Sequence, residues 1–241
     1  MCFIHSPSDK DSVPFFTVYI FGKIAYIESN ICFCVLIQRM PDDKLGPCIL
    51  EGVYIQLIPL KIEHKPELLK ASQESDFSWL QNDVRTPESM NSWFSEMISE
   101  EKEGYTYPFA VQVISTGKII GTTRYMDIST IYKRVEIGGT WYMKEYWGTS
   151  VNPEAKYLLL KHAFEEWHAN RVQLKTDSNN LHSQKAIMKL GAQFEGRLRN
   201  HMVRKDGTVR DTMMYSITSQ EWLKVGPELK SRVLSTKPTV Q

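Results

Sequence analysis

Polar and apolar positions alternate at Val53-Tyr54-Ile55-Gln56-Leu57, a period-two pattern that predicts a half-buried strand. A helix is expected from Pro66, burying Leu68, Leu69 and Ala71. A second starts at Thr86-Pro87-Glu88 and puts Trp93, Phe94, Met97 and Ile98 on one face. Residues 109 to 114 and 118 to 127 read as strands joined by Ser115-Thr116-Gly117, and residues 134 to 143 as the next strand. A short loop, Tyr146-Trp147-Gly148-Thr149-Ser150-Val151, then leads to a helix with Asn152 as its cap and Pro153 at its first position. Ala155, Leu159, Leu160, Ala163, Phe164 and Trp167 form its apolar stripe, opposite Lys161, Glu165 and Glu166. A strand follows over residues 171 to 176, then a helix capped by Asn180 and stopped by Gly191. A hairpin about Asp206-Gly207 and a last helix begun by the capping box Thr218-Ser219-Gln220-Glu221 close the pattern. The strand-loop-helix-strand crossover implies that residues 134 to 143 and 171 to 176 pair in parallel.

The first 48 residues follow a different pattern. Phe15 to Phe21 and Ile31 to Ile37 suggest two strands, as of a hairpin, and residues 39 to 47 a linker by their Pro, Gly and charges. The expected organisation is an extension of unread role over 1–48, a folded domain over 49–222, and a C-terminal helix and tail over 223–241.

The loop at Gly148 carries the first chemistry. Small residues before a well-marked helix start leave several N–H groups and the positive end of the helix dipole aimed at one place, which suits a phosphate. An ordinary strand-to-helix turn explains Gly148 and the cap equally well. A nucleotide-hydrolysing loop would need a lysine where Thr149 to Asn152 stand, and a dinucleotide fingerprint would need two more glycines and an acid, so both are excluded. What remains is a diphosphate held by backbone.

Charge narrows the partners. Lys and Arg total 29 against 28 Asp and Glu, so no overall field recruits nucleic acid or an anionic membrane. The four cysteines, Cys2, Cys32, Cys34 and Cys48, match no zinc spacing, and no metal is expected. Neither a signal peptide nor an apolar run of eighteen residues is readable, which makes the cytoplasm the expected compartment.

The order of elements, together with Arg134-Val135-Glu136-Ile137-Gly138, Asn152 to Lys156, Lys175-Thr176-Asp177, Asn180 with Ser183, and Leu190-Gly191-Ala192, resembles the GNAT superfamily of acetyl-CoA-dependent N-acetyltransferases over residues 53 to 222. Within it the chain is similar to the RimJ/RimL-type branch. The resemblance implies a mixed α/β fold: a mixed, mostly antiparallel twisted sheet, splayed at the acetyl-CoA site and flanked by helices. It implies acetyl-CoA as co-substrate, an amine acceptor on a protein N-terminus or a small molecule, and a monomer or homodimer. The family's Gln/Arg-x-x-Gly-x-Gly/Ala loop falls on Glu145 to Ser150, where Gly148 matches and Glu145 and Ser150 depart. Cofactor contacts are thereby expected at Tyr142, Met143, Gly148, Thr149, Ser150, Val151, Asn152, Asn180 and Ser183. Ile187 stands where many relatives have a tyrosine that returns a proton to the thiolate.

Acetyl transfer to an amine needs a neutral nucleophile and a polarised thioester carbonyl, but no covalent enzyme intermediate. Gly138-Gly139 marks where the strand bulges or bends toward the cofactor arm. Alternation puts Glu136, Gly138 and Thr140 on one face, where the Glu136 carboxylate either takes the ammonium proton through water or is a solvated glutamate. His201, Arg199, Arg210 and Asp211 on the last hairpin either line an acceptor pocket or pair across strands, and His162, His168 and His182 are expected at the surface. An enzyme and a non-catalytic CoA- or partner-binding domain both remain open, the latter supported by Glu145, Ser150 and Ile187.

Overall fold

The computed structural model describes residues 16–20, 23–27, 45–46 and 48–235. The chain divides into two compact units, Met1–Met40 and Pro41–Gln241. In the first, β1 (Phe16–Ile20) pairs antiparallel with β2 (Lys23–Ile27), so the partner of the first strand is the Lys23 segment. The expected strand over Ile31 to Ile37 lies outside the described residues.

The second unit is built on an eight-stranded sheet. Its strands are β3 (Leu50–Glu51), β4 (Ile55–Pro59), β5 (Thr106–Val113), β6 (Ile119–Ser129), β7 (Arg134–Tyr142), β8 (Arg171–Asp177), β9 (Gln193–Val203) and β10 (Val209–Thr218), in the order β3-β4-β5-β6-β7-β8-β10-β9. Every neighbouring pair is antiparallel except β7 and β8. The mixed, mostly antiparallel sheet flanked by helices that the resemblance implies is therefore present.

Among the described residues, five α-helices cover the two faces: α1 (Lys65–Gln73), α2 (Pro87–Lys102), α3 (Val151–Lys161), α4 (Leu181–Lys189) and α5 (Ser219–Ser235). Arg124 reaches Glu100 on α2, whereas its neighbour Tyr125 donates to Leu159 O on α3, so α2 and α3 lie on opposite faces. Ala155, Leu159, Leu160, Ala163, Phe164 and Trp167 are all buried, as the stripe predicts, and Trp222 of α5 stacks on Phe164.

Several boundaries differ from the sequence expectation. Val53 is exposed because the chain turns between β3 and β4 there, and the strand begins only at Ile55. On α2 the buried set is Met90, Trp93, Phe94 and Met97, and Ile98 faces solvent one position past that face. Thr86 caps α2 as expected, accepting from Ser89 N at 3.2 Å. The α3 helix begins at Val151, with Ser150 at its cap and Asn152 already inside. Pro153 is tolerated there because the first four N–H groups of a helix have no intrahelical acceptor. The helix ends in a π-turn over His162–Glu166, which carries His162 inward to lie buried against Tyr125. Leu45 belongs to the core and Cys48 Sγ lies 3.3 Å from His162 Nε2, so the packed body begins ahead of residue 49.

One carboxylate ties α3 to the sheet edge. Glu154 is buried and accepts from the N–H groups of Val53, Tyr54 and Ile55, closing the β3–β4 turn. Burial pushes its carboxyl pKa up, and the three N–H groups oppose that shift. Glu154→Gln aims an amide nitrogen at backbone donors and should destabilise the fold by ~1–3 kcal/mol in urea unfolding. A midpoint unchanged from the parent would show that the turn closes without it.

Candidate active site

The site grows out of an interruption in the sheet. β7 and β8 pair only at Arg134↔Arg171, Val135↔Val172 and Glu136↔Gln173. Beyond that point β7 runs on to Tyr142 and β8 to Asp177, each bonded only to its outer neighbour. A slot lined by backbone polar groups opens between them.

The bend has a local cause. On β6 the step from Thr122 to Arg124 spans two residues, while on β7 the partners Trp141 and Gly138 span three. The extra residue is accommodated at Gly139, whose φ of +57° is in the left-handed region. A Cβ there would come within 2.7 Å of Arg124 Nε. The bulge also resets the alternation. Glu136 and Gly138 share the α2 face, but Thr140 turns to the α3 face, contrary to the expectation that all three align. The expected bulge at Gly138-Gly139 is thus present, with this consequence for Thr140.

At the mouth of the slot lies the Gly148 loop. Gly148 has φ +72°, and a Cβ on it would meet nothing within 4 Å. Among the described residues, the N–H groups of Gly148, Thr149 and Ser150 have no protein acceptor. Thr149 Oγ1 donates to Tyr146 O at 2.6 Å and accepts from Val151 N at 3.3 Å, which cinches the loop. Ser150 is buried, and the start of α3 stands directly behind these donors. Glu145 turns aside to pair with Lys118 at 2.9 Å, leaving the loop's N–H groups unopposed by its charge. The residues present therefore fit a diphosphate.

Along the slot, Met143 N is already bonded to Ile120 O at 2.9 Å. Tyr142, one residue earlier, faces the open side through its main chain, where its carbonyl accepts from the Trp147 indole at 3.1 Å. The Tyr142 side chain is buried toward α3, with its hydroxyl 3.4 Å from Asn152 Oδ1, and burial raises its pKa. Across the slot, Asn180 caps α4 by accepting from Ser183 N at 3.0 Å, which spends its oxygen and leaves its amide NH2 available. Ile187 is buried, and Gly191 ends α4 at φ +96°.

Glu136 sits at the vertex where the strands part. It is buried, with Lys175 Nζ at 3.0 Å and Gln173 Nε2 at 3.2 Å, and Gln173 also reaches Asp127 at 3.0 Å. It is neither solvated nor surrounded only by small residues. At the end of β8, Asp177 is held by Arg204 at 2.6 and 3.0 Å, which keeps its pKa below the usual carboxylate range. On the last hairpin, His201 Nδ1 lies 3.1 Å from Thr212 Oγ1 and Asp211 pairs with Arg197. No described helix is long and apolar enough to cross a membrane, and no described cluster of His, Cys, Asp and Glu could hold a metal ion.

A family model for an acetyltransferase (GNAT) domain matches residues 55–193, the segment that builds the slot and loop. The chain belongs to the GNAT acetyltransferase family. It is 31% identical over 120 residues to an uncharacterized N-acetyltransferase, p20, of Bacillus licheniformis, covering 50% of this chain and 66% of that one. To YdaF of Bacillus subtilis, named a putative ribosomal N-acetyltransferase, it is 25% identical over 71% of this chain and 94% of the relative, in keeping with the RimJ/RimL-type resemblance. A crystal structure of a GCN5-related N-acetyltransferase from Brucella melitensis superposes with a TM-score of 0.72 at 28% identity, covering 78% of this chain and 86% of that one.

One residue at the site was not singled out from the sequence. Lys156 of α3 is buried, and its Nζ donates to Thr140 Oγ1 at 2.5 Å and Thr123 Oγ1 at 3.2 Å, bracing the strand just behind the bulge. Its signal was its position four residues before Leu160, within the buried face of the helix. Desolvation lowers its pKa from the usual 10.5 to about 7. Between those values the unfolded chain binds more protons than the folded one, so this group makes stability rise with pH across that window. Lys156→Met should flatten the rise in unfolding free energy measured from pH 7 to 9.5. An equally steep rise in the variant would assign it to other groups.

Proposed function

We propose that the protein transfers the acetyl group of acetyl-CoA to a primary amine, on a protein N-terminus or a small molecule, by direct attack and without a covalent enzyme intermediate. The single observation that carries the reading is the slot between β7 and β8, with three unbonded N–H groups of the Gly148 loop at its mouth. In this reading the Gly148, Thr149 and Ser150 N–H groups, with the start of α3 from Val151 and Asn152 behind them, hold the diphosphate. The Asn180 amide and Ser183 line one wall of the slot. The main chain of β7 about Tyr142 supplies the donor that polarises the thioester carbonyl, since the Met143 N–H is already engaged.

Glu136 takes the ammonium proton through water before the neutral amine attacks the thioester carbonyl, with Lys175 and Gln173 fixing the carboxylate's orientation. The N–C bond then forms, the C–S bond breaks, and CoA leaves as a thiolate that takes up the proton the new amide nitrogen gives up through water. Catalysis needs little more than positioning of the two reactants and the ammonium proton's removal. The turn of Glu145 toward Lys118 removes one ground for a non-catalytic binding domain.

Calorimetry should detect CoA binding to the metal-free protein. Gly148→Glu should abolish it by placing side chain and like charge in open space at a left-handed position. Folded protein that gives no heat with millimolar CoA would end the reading. Glu136→Gln keeps shape but removes the base, so kcat should fall by ~10²–10⁴ with acetyl-CoA affinity nearly unchanged. A variant within a few-fold of the parent at neutral pH would restrict Glu136 to a structural role.

A further inference from the structure

The sheet face that carries Glu136 also carries Lys175 and Asp177 of β8, Thr212 opposite Asp177, and Arg210 two residues before it on β10. Lys175 is paired with Glu136, and Arg204 holds Asp177 through two nitrogens. Both carboxylates are thereby taken. Arg210 is the third cation of the group, and its nearest carboxylate oxygen, on Asp177, lies 4.0 Å from its Nε, beyond hydrogen-bond reach. That Nε is buried without a partner, while the side chain as a whole is 11% exposed. Among the described residues the Arg210 side chain donates no hydrogen bond, and of its guanidinium nitrogens only Nε is buried without a partner, the two terminal nitrogens being open to solvent. Burial lowers its pKa, the Asp177 and Glu136 carboxylates oppose that shift, and Arg204 adds to it.

The two carboxylates whose charge acts on Arg210, Asp177 and Glu136, are both engaged by other cations, and other carboxylates of the domain have partners of their own. Glu100 is paired with Arg124, Asp127 with Arg134, Asp83 with Arg85 and Asp211 with Arg197. Asp76 is bonded to Ser78, and Lys205 adds a positive charge where its Nζ donates to Phe77 O at 2.6 Å. Within 4.0 Å, three cations, Lys175, Arg204 and Arg210, thus face two carboxylates, Glu136 and Asp177, while Asp206 and Asp211 act on Arg204 from farther off. The excess charge lies beside Asp177, on the stretch of β8 that has no strand on its β7 side. A guanidinium with an unpartnered buried Nε and open terminal nitrogens at that lip is a place for a ligand's oxygens.

We propose that Arg210 reads an anionic group on the acceptor, and that the acceptor is therefore a primary amine that also carries a carboxylate, as in a peptide with an acidic residue beside its N-terminus or a free acidic amino acid. This rests on the acetyl-transfer reading and deepens it. The planar fork of Arg210 takes the two carboxylate oxygens while the amine turns toward the slot. Polycationic amines are repelled by the same charge excess.

The test uses the full chain saturated with CoA, titrated calorimetrically with short peptides that differ only in Asp, Asn or Lys at the second position, with free aspartate and with spermidine. Thiol release from acetyl-CoA is measured on the same panel. The Asp peptide or free aspartate should bind and react with a kcat/KM at least about tenfold above the Asn peptide. Whichever of the two is preferred identifies the source of the carboxylate. Arg210→Gln should bring the Asp/Asn ratio close to one, chiefly through KM for the acidic acceptor, with acetyl-CoA affinity unchanged, and Arg210→Lys should recover part of the ratio. Equal use of Asp and Asn peptides by the parent overturns the proposal, and so does a ratio that survives Arg210→Gln. Should that variant not fold, the parent's own charge series decides. Charge-selective binding without thiol release from any acceptor would support the anion site while removing the acetyl-transfer reading.

Discussion

The pairing of β7 with β8 stops after three residues, and the rest of the candidate site depends on that stop. Two adjacent strands of a sheet normally satisfy each other's main-chain groups, so parting them leaves donors and acceptors for side chains, as at the Tyr142 carbonyl, or for a ligand or water to bond. The parting is built in by the extra residue at Gly139. A left-handed φ and the nearby Arg124 side chain favour glycine at that position. Lys156 and the two threonines it binds hold the bulged strand against α3, and the Glu136, Lys175 and Gln173 cluster closes the vertex below.

Helix α3 joins the two halves of the site. Its first turn stands behind the free N–H groups of the Gly148 loop, Glu154 one turn later closes the β3–β4 turn, and Lys156 reaches the bulge. A displacement of this helix would be felt at all three places, which explains why a buried carboxylate and a buried amine are both kept in it despite their desolvation.

The elements themselves were legible because each carries a strong local signal: period-two strands, the Thr86 cap, the Gly191 stop and the turn at Gly207. The parallel pairing followed from the crossover alone. Less legible was whatever depends on a partner distant in sequence. Asn152 has the chemistry of a cap, yet Thr149 closes the loop three residues earlier and the helix begins at Val151 with Ser150 as its cap. Thr140 changes face because a bulge breaks the alternation that sequence reading assumes. His162 is drawn inward by a π-turn, and neither the Lys175 partner of Glu136 nor the unsatisfied state of Arg210 can be read from spacing.

Amide hydrogen exchange with and without CoA tests most directly whether the slot is the cofactor site. The account predicts that CoA slows exchange in peptides covering residues 138 to 142, 148 to 152 and 174 to 177, where main-chain N–H groups lack a protein partner or border the open side of the sheet. CoA binding that leaves these three segments exchanging as before, with protection elsewhere, would contradict it.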